Sequence, residues 1–289
     1  MSGGSVVEEA TGEITGDIVP GTAPGRTGRR FGSVGEWVLR VVAGLVLCFL
    51  FLPILVIVVF SFNRPEGRFN LAWNEFSFDA WLDPFRYPQL TEALWNSLEI
   101  AAISTAVSVA LGSFIAIALV RQRFVGRDTL DTFLVLPLTA AEVVMGASLL
   151  TLFLDLGWNR GFVTIIIAHI GFQISFVALT VRARVRGLDW TLEDAAMDLG
   201  ADPRRTFWKV TLPMIMPGIV AAALLSFALS LDDFIITFFN AGSTSTYPLY
   251  VNAATKNGLP PQVNVFATAI LVISLVVLAA GALMRRRET

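Results

Sequence analysis

The side chains with chemistry to offer are few, and most of them stand in apolar surroundings. Asp232 and Asp233 are neighbours in one apolar run, and Glu142 stands in another. An ionised side chain in hydrocarbon costs roughly 2.5–3.5 kcal/mol on insertion scales, so such a carboxylate meets water, a partner or a cationic solute. Adjacent helix positions point about 100° apart, so one aspartate can face a pathway while the other caps or pairs. Interfacial or inter-subunit hydrogen bonding is the alternative for both. His169, the single histidine, also lies in an apolar run and reads as a satisfied core side chain. Cys48 is the single cysteine, which excludes an intrachain disulfide and a thiol metal site. Asp155 and Arg160 flank a short loop and read as a solvated pair. An intramembrane aspartyl protease needs aspartates on two different spans and a G-x-G-D-like site, and neither occurs here. Ser175 or Ser226 with the lone His169 makes no serine-protease motif either. No G-x-x-x-x-G-K-[ST] pattern is present, so the chain has no means of its own to cradle ATP phosphates. It is not expected to be an enzyme.

The elements that must position these residues are apolar helices. Of 289 residues, 55% are hydrophobic and only 15% charged, with a mean hydropathy of +0.68. The apolar residues fall in runs of about 20, the length that crosses a bilayer. The sequence therefore predicts an all-α integral membrane protein with six spans. They lie at Trp37–Phe62, Trp95–Val120, Leu130–Phe153, Phe162–Val181, Met214–Phe239 and Val263–Met284. Pro137 and Glu142 predict a kink in the third span, and Pro213 and Pro217 one near the start of the fifth. Asp232 and Asp233 come about 15 residues after Pro217, which at ~1.5 Å per residue puts them in the outer third of the membrane. Residues 1–34 are rich in Gly, Ser and Thr and read as a disordered cytoplasmic tail, leaving 35–289 as the transmembrane domain.

Orientation follows from basic residues. Sixteen Lys and Arg fall on one side: Arg26 to Arg40, Arg121 to Arg127, the loop after the fourth span, and the tail from Arg285. Five fall on the other: Arg64, Arg68, Arg86, Arg160 and Lys256. Both termini are thus expected in the cytoplasm. The first outer loop, residues 63–94, carries Phe69, Trp73, Phe76, Phe78, Trp81, Phe85 and Tyr87. It reads either as an aromatic belt at the membrane interface or as a docking surface for an external partner.

The loop at residues 182–213 is long, basic and structured by its sequence. Thr191-Leu192-Glu193-Asp194 reads as a capping box, with Thr191 capping and Asp194 reaching back. Leu192, Ala195, Ala196 and Leu199 then make one apolar stripe over two turns. Gly200 follows where a left-handed cap belongs. Asp202-Pro203 predicts a second helix, ending before Pro213. A two-turn helix is not stable alone. Its stripe needs a groove in its own chain or a partner, or it lies on the membrane surface.

The pattern Asp194-Ala195-Ala196-x3-Gly200-x9-Val210-x-Leu212-Pro213 resembles the E-A-A-x3-G-x9-I-x-L-P loop of permease subunits in binding-protein-dependent ABC importers. Every spacing matches, with Asp194 in place of Glu and Val210 in place of Ile. Ser61-Phe62-Asn63, Asn96-Ser97-Leu98, Leu229-Ser230-Leu231-Asp232-Asp233-Phe234 and Tyr247-Pro248-Leu249-Tyr250-Val251 look like the spermidine/putrescine permease branch. That family tends to carry Pro before the acidic residue of the third span, where this chain has Ala141 before Glu142.

The resemblance implies a type I ABC importer (MetI-like) permease fold of six transmembrane helices in the plasma or inner cell membrane. It implies a transport subunit that supplies half of a pathway, for polyamines by family pattern, with a second homologous permease supplying the other half. Two cytoplasmic ATPase subunits would bind the ATP and Mg, an extracytoplasmic binding protein would deliver solute, and the chain itself would hold no cofactor and no nucleic acid. Thr191, Glu193, Asp194, Ala195, Ala196, Gly200, Leu212 and Pro213 would then belong to the loop that couples to the ATPase, with the 191–199 helix as the knob. Asp232, Asp233 and Glu142 would be candidates to line the substrate path, Asp233 first because it lies deep in the matched motif. Another organic cation, ferric ion, sulfate or molybdate are alternative solutes. An ATP-independent transporter gives the Thr191–Pro213 loop no purpose.

Overall fold

A computed structural model describes residues 33–122 and 124–286. The expected tail therefore lies outside the described residues, except that residues 33 and 34 open the first helix. The chain divides at Pro53 into two units. The described part of the first is the leading stretch of α1 (Ser33–Phe60), whose apolar side chains from Trp37 onward are exposed. A helix that is apolar on all sides suits a hydrocarbon surround.

The second unit holds the remaining elements. After a short ladder come α2 (Asp79–Leu82) and α3 (Pro88–Arg121), then α4 (Arg127–Thr139), α5 (Glu142–Asp155) and α6 (Phe162–Arg186). Next are α7 (Thr191–Asp198), α8 (Pro203–Thr206), α9 (Leu212–Asp232), α10 (Ile235–Asn240), α11 (Tyr247–Asn257) and α12 (Pro261–Arg286). Among the described residues, four helical stretches are long and apolar enough to cross a membrane, and five if α4 and α5 form one broken span. The described apolar part of α12, Pro261–Val276, is shorter.

Its centre is the packing of α3, α6 and α9. Ala116, Val177, Val181, Val185, Ile215 and Ala222 form one buried cluster there. In a membrane, helices associate by close packing rather than by the hydrophobic effect, so small residues mark the seams. A Cβ on Gly112 would stand 2.7 Å from Val177 Cγ1, and one on Gly218 would stand 2.6 Å from Arg184 Cβ. Only glycine allows these approaches of α3 and α9 to α6.

The expected third span is not a kinked helix but two helices bent by 108°. Ala140 and Ala141 are both extended, so the break exists although Ala replaces the proline. Pro137 sits near the end of α4, where its ring disrupts the carbonyl ladder. The fifth span also differs. Its helix does not begin after Pro213, because α8 runs on through a π-helical turn, Phe207–Thr211, into α9. Leu212 N donates to the Phe207 carbonyl, five residues back. Widening that turn accommodates Pro213, which lacks an N–H and crowds the carbonyl four residues before it. At its other end the span breaks at Asp233, whose ψ is 122°.

The loop of residues 63–94 is folded on itself. β1 (Asn63–Arg64) pairs antiparallel with β2 (Glu75–Phe76), a departure from an all-helical chain. Phe62 packs against Phe76, Phe78 and Trp81 at ring-centroid distances of 5.7, 5.4 and 5.4 Å. Trp81 Nε1 donates to Ser61 Oγ at 3.2 Å, and Asn63 Nδ2 donates to Asn70 Oδ1 and the Ala72 carbonyl. The Ser61-Phe62-Asn63 motif is thus the hub of this fold.

Candidate functional site

Two places gather the side chains singled out above: the loop around α7, and the C-terminal end of α9.

In the loop, Gly187 ends α6 and Asp189 starts the next turn. The Thr191 cap is corrected here. Thr191 is the first residue of α7, and the Asp189 carboxylate accepts from Thr191 N at 3.1 Å and Thr191 Oγ1 at 2.8 Å. These two donors hold the Asp189 carboxyl below its ordinary value. Asp194 does not close a capping box. At the far end Gly200 has φ +88°, Gly200 N donates to the Met197 carbonyl at 2.9 Å, and Ala201 N to the Ala196 carbonyl at 3.1 Å. This is a Schellman closure, and its left-handed residue is the glycine. Asp202 caps α8 through Arg205 N at 3.2 Å, with Pro203 in the first helical position.

The expected stripe points away from the rest of the chain. Leu192 and Ala195 are exposed, and Leu199 is 90% exposed. Ala196 is half-buried, so it belongs to the flank rather than the crest. The inward side is Glu193, only 4% exposed. It accepts from Arg121, the last residue of α3, and from the Thr211 hydroxyl at the end of the π turn. The Arg121 guanidinium also stacks on Trp190, 5.0 Å from the ring centroid. Leu212 and Pro213 open α9 directly after this junction.

At the other end of α9, the two aspartates part company. Asp232 lies on the wall of a cleft of ≈1060 Å³ between α3, α9, α11 and α12. Phe227, Leu231, Phe234, Tyr247 and Val251 are among its apolar lining, Asn252, Thr255 and Ser274 add uncharged polar groups, and Asp232 is the one charged residue there among the described residues. Asn96 and Ser97 of α3 hold the start of α11: Asn96 Nδ2 donates to the Ser245 carbonyl at 2.9 Å, and Tyr247 N to Ser97 Oγ at 2.8 Å. Tyr247 Oη donates to the Val263 carbonyl at 2.9 Å, tying α11 to α12.

Asp233, the residue expected to face the path, is turned inward instead. Its Oδ2 accepts from Thr237 N at 2.8 Å and Thr237 Oγ1 at 2.7 Å, and Ile236 N lies 3.4 Å from its Oδ1. It therefore caps the first turn of α10. His169 Nε2 approaches the same carboxylate at 3.3 Å and Thr237 Oγ1 at 2.9 Å, while Nδ1 meets Ser230 Oγ at 2.6 Å. A carboxylate only accepts, so the Thr237 hydroxyl proton goes to Asp233 and its oxygen accepts from His169 Nε2–H. Nδ1 is then the acceptor of the Ser230 proton. Ser104 Oγ at 3.2 Å and Gln173 Nε2 at 3.3 Å beyond it extend the chain across α3 and α6. His169 is a satisfied core residue.

Glu142 is exposed at the first position of α5 and does not line the cleft with Asp232. Asp155 and Arg160 do not form one of the ion pairs among the described residues. Reasoning from sequence passed over Arg121 and Thr211. Arg121 counted only as charge, and Thr211 is the variable position of the Val210-x-Leu212-Pro213 motif. No spacing rule pairs two residues so far apart.

Residues 108–288 match the family described as "Binding-protein-dependent transport system inner membrane component". The chain is 36% identical over 245 residues to the spermidine/putrescine transport system permease protein PotC of Escherichia coli K12, covering 84% of this chain and 92% of the relative. It is 39% identical over 249 residues to the putrescine transport system permease protein PotI of the same organism, covering 83% and 88%. Its fold resembles a chain of a bacterial ABC transporter involved in alginate import, with a TM-score of 0.63 at 18% identity over 88% of this chain and 96% of that one. A chain of the MetNI methionine ABC transporter gives 0.54 at 17% identity, over 70% and 96%.

Proposed function

The chain belongs to the family of binding-protein-dependent transport system inner-membrane components and is the permease half of an ABC importer, and from that premise we propose that its solute is a polyamine. The observation that carries this reading is the lone Asp232 carboxylate on the wall of a largely apolar cleft. A polyamine alternates methylene runs with ammonium groups. Apolar walls suit the first, and a carboxylate facing the cleft replaces hydration lost by the second. Aromatic faces at Phe227, Phe234 and Tyr247 favour a cation further. The same carboxylate disfavours sulfate and molybdate. Ferric ion wants several hard oxygen ligands, and no group of three His, Cys, Asp or Glu suited to a metal stands together among the described residues.

The finer architecture belongs to the same reading. The bent α4–α5 pair and α12 complete six spans, both termini are cytoplasmic, and 35–289 is the transmembrane domain. The exposed stripe of α7 fits a cleft in a separate ATPase that binds ATP and Mg, two copies of which serve this chain and a second permease. An extracytoplasmic binding protein delivers the solute. The test is uptake into cells lacking other polyamine systems, with the chain expressed beside its cognate ATPase, second permease and binding protein. Saturable, ATP-dependent uptake of labelled putrescine or spermidine is expected. Uptake of iron, sulfate or molybdate with none of polyamine overturns the assignment.

A further inference from the structure

We infer that Glu193 is a positioning residue, a buried strut that ties the coupling helix α7 to α3 and α9 and carries its movement into the membrane domain. α7 contains three acidic residues, Glu193, Asp194 and Asp198, and only Glu193 is buried. Its two carboxylate oxygens go to different elements, Oε2 to Arg121 at the end of α3 and Oε1 to Thr211 at the start of α9. Trp190 packs on the Arg121 guanidinium, which adds a cation–π contact and steadies it against the buried carboxylate. A two-turn helix has little stability of its own, and the outward stripe of α7 gives it no hold on its own chain. Glu193 supplies that hold.

The attachment point is also where helix geometry is unusual. Thr211 closes the π turn through which α8 passes into α9, and α9 runs from there to Asp232 at the cleft. A pull on α7 therefore acts on the base of the helix whose other end bears the solute-facing carboxylate. Arg184 Nε, donating to the Met214 carbonyl at 3.2 Å, joins α6 to the same base. Arg182, paired with Asp131, joins α6 to α4.

The inference rests on the reading that α7 docks on an ATPase, so the experiment separates the two. In the assembled transporter in proteoliposomes, Glu193→Ala should lower solute uptake per ATP hydrolysed at least about tenfold while the ATPase stays bound. Glu193→Gln, which keeps the shape and can hold both partners in weaker form, its carbonyl oxygen accepting from Arg121 and its amide donating to the Thr211 hydroxyl oxygen, should recover much of the ratio. Thr211→Val removes one arm without changing volume and should give an intermediate loss, and it decides the matter if Glu193→Ala does not assemble. A nitroxide at Asp198→Cys, with Cys48 replaced, should become more mobile in both variants whether or not an ATPase is present. Unchanged uptake per ATP and unchanged nitroxide mobility in assembled Thr211→Val and Glu193→Ala would overturn the strut. Retention of the ATPase by Ala195→Asp and Leu199→Asp would overturn the docking reading instead, and leaves the nitroxide result to judge the strut.

Discussion

Asp233 commits both carboxylate oxygens to the first turn of α10 and to His169, whereas Asp232 lies on the wall of the largely apolar cleft. The two should therefore fail differently when changed. Asp232→Asn keeps the size and most of the hydrogen bonding of the side chain and deletes its charge. We expect the complex to assemble with normal basal ATP hydrolysis and polyamine uptake to fall about tenfold, the equivalent of ~1.4 kcal/mol. The loss should be larger for spermidine than for putrescine, because the longer solute has more hydration to replace. Asp233→Ala removes a cap and leaves buried donors unpaired, at a cost of about 1–3 kcal/mol. It should lower the yield of assembled complex and its melting temperature, with uptake falling in proportion to the protein recovered. Equal uptake by wild type and Asp232→Asn, at equal complex, would remove Asp232 from the path.

At the scale of the element, α7 depends on its two ends. The space around Gly200 is open, so a side chain there meets no neighbour and the penalty of substitution is conformational alone. A β-branched residue at φ +88° costs about 1–2 kcal/mol, while Asn tolerates the left-handed region. Gly200→Val should reduce co-purification of the ATPase and solute-stimulated hydrolysis, and Gly200→Asn should restore most of both. If Val and Asn behave alike, the left-handed closure is not what positions α7. The other end is insensitive to pH near neutrality. The Asp189 carboxyl is depressed by its Thr191 donors, so the cap is fully present above the ordinary carboxylate range and lost only as pH falls through the lowered value.

At the scale of the whole molecule, the proposed sidedness rests on the sixteen-to-five partition of basic residues. With Cys48 replaced, a single cysteine at Ser243 should react with an impermeant maleimide from outside intact cells, and one at Asp198 only after permeabilisation. Both positions are exposed, so failure to label is not a matter of burial. Labelling of both from outside would invert the arrangement around which the ATPase and binding protein are assigned.

Apolar runs of bilayer length and the Asp194–Pro213 spacing were enough to identify a membrane permease and to place a short helix in the loop of residues 182–213. These are local patterns, set by the helical period, by backbone conformation and by the cost of charge in hydrocarbon, and each can be read within a few residues. Tertiary packing decided the rest. It turned Asp233 toward His169 and Asp232 toward the cleft, although the sequence treats them as near equivalents, because adjacent positions point about 100° apart and the break after Asp233, at ψ 122°, folds the first turn of α10 onto its carboxylate. It made Thr191 the first residue of α7 rather than its cap, with its N–H and hydroxyl both donated to Asp189. It joined Glu193 to Arg121, 72 residues away, and to Thr211, 18 residues away. A buried carboxylate needs a donor, but which donor reaches it depends on how α3, α6 and α9 pack, and that packing rests on close approaches at Gly112 and Gly218 that no local pattern specifies.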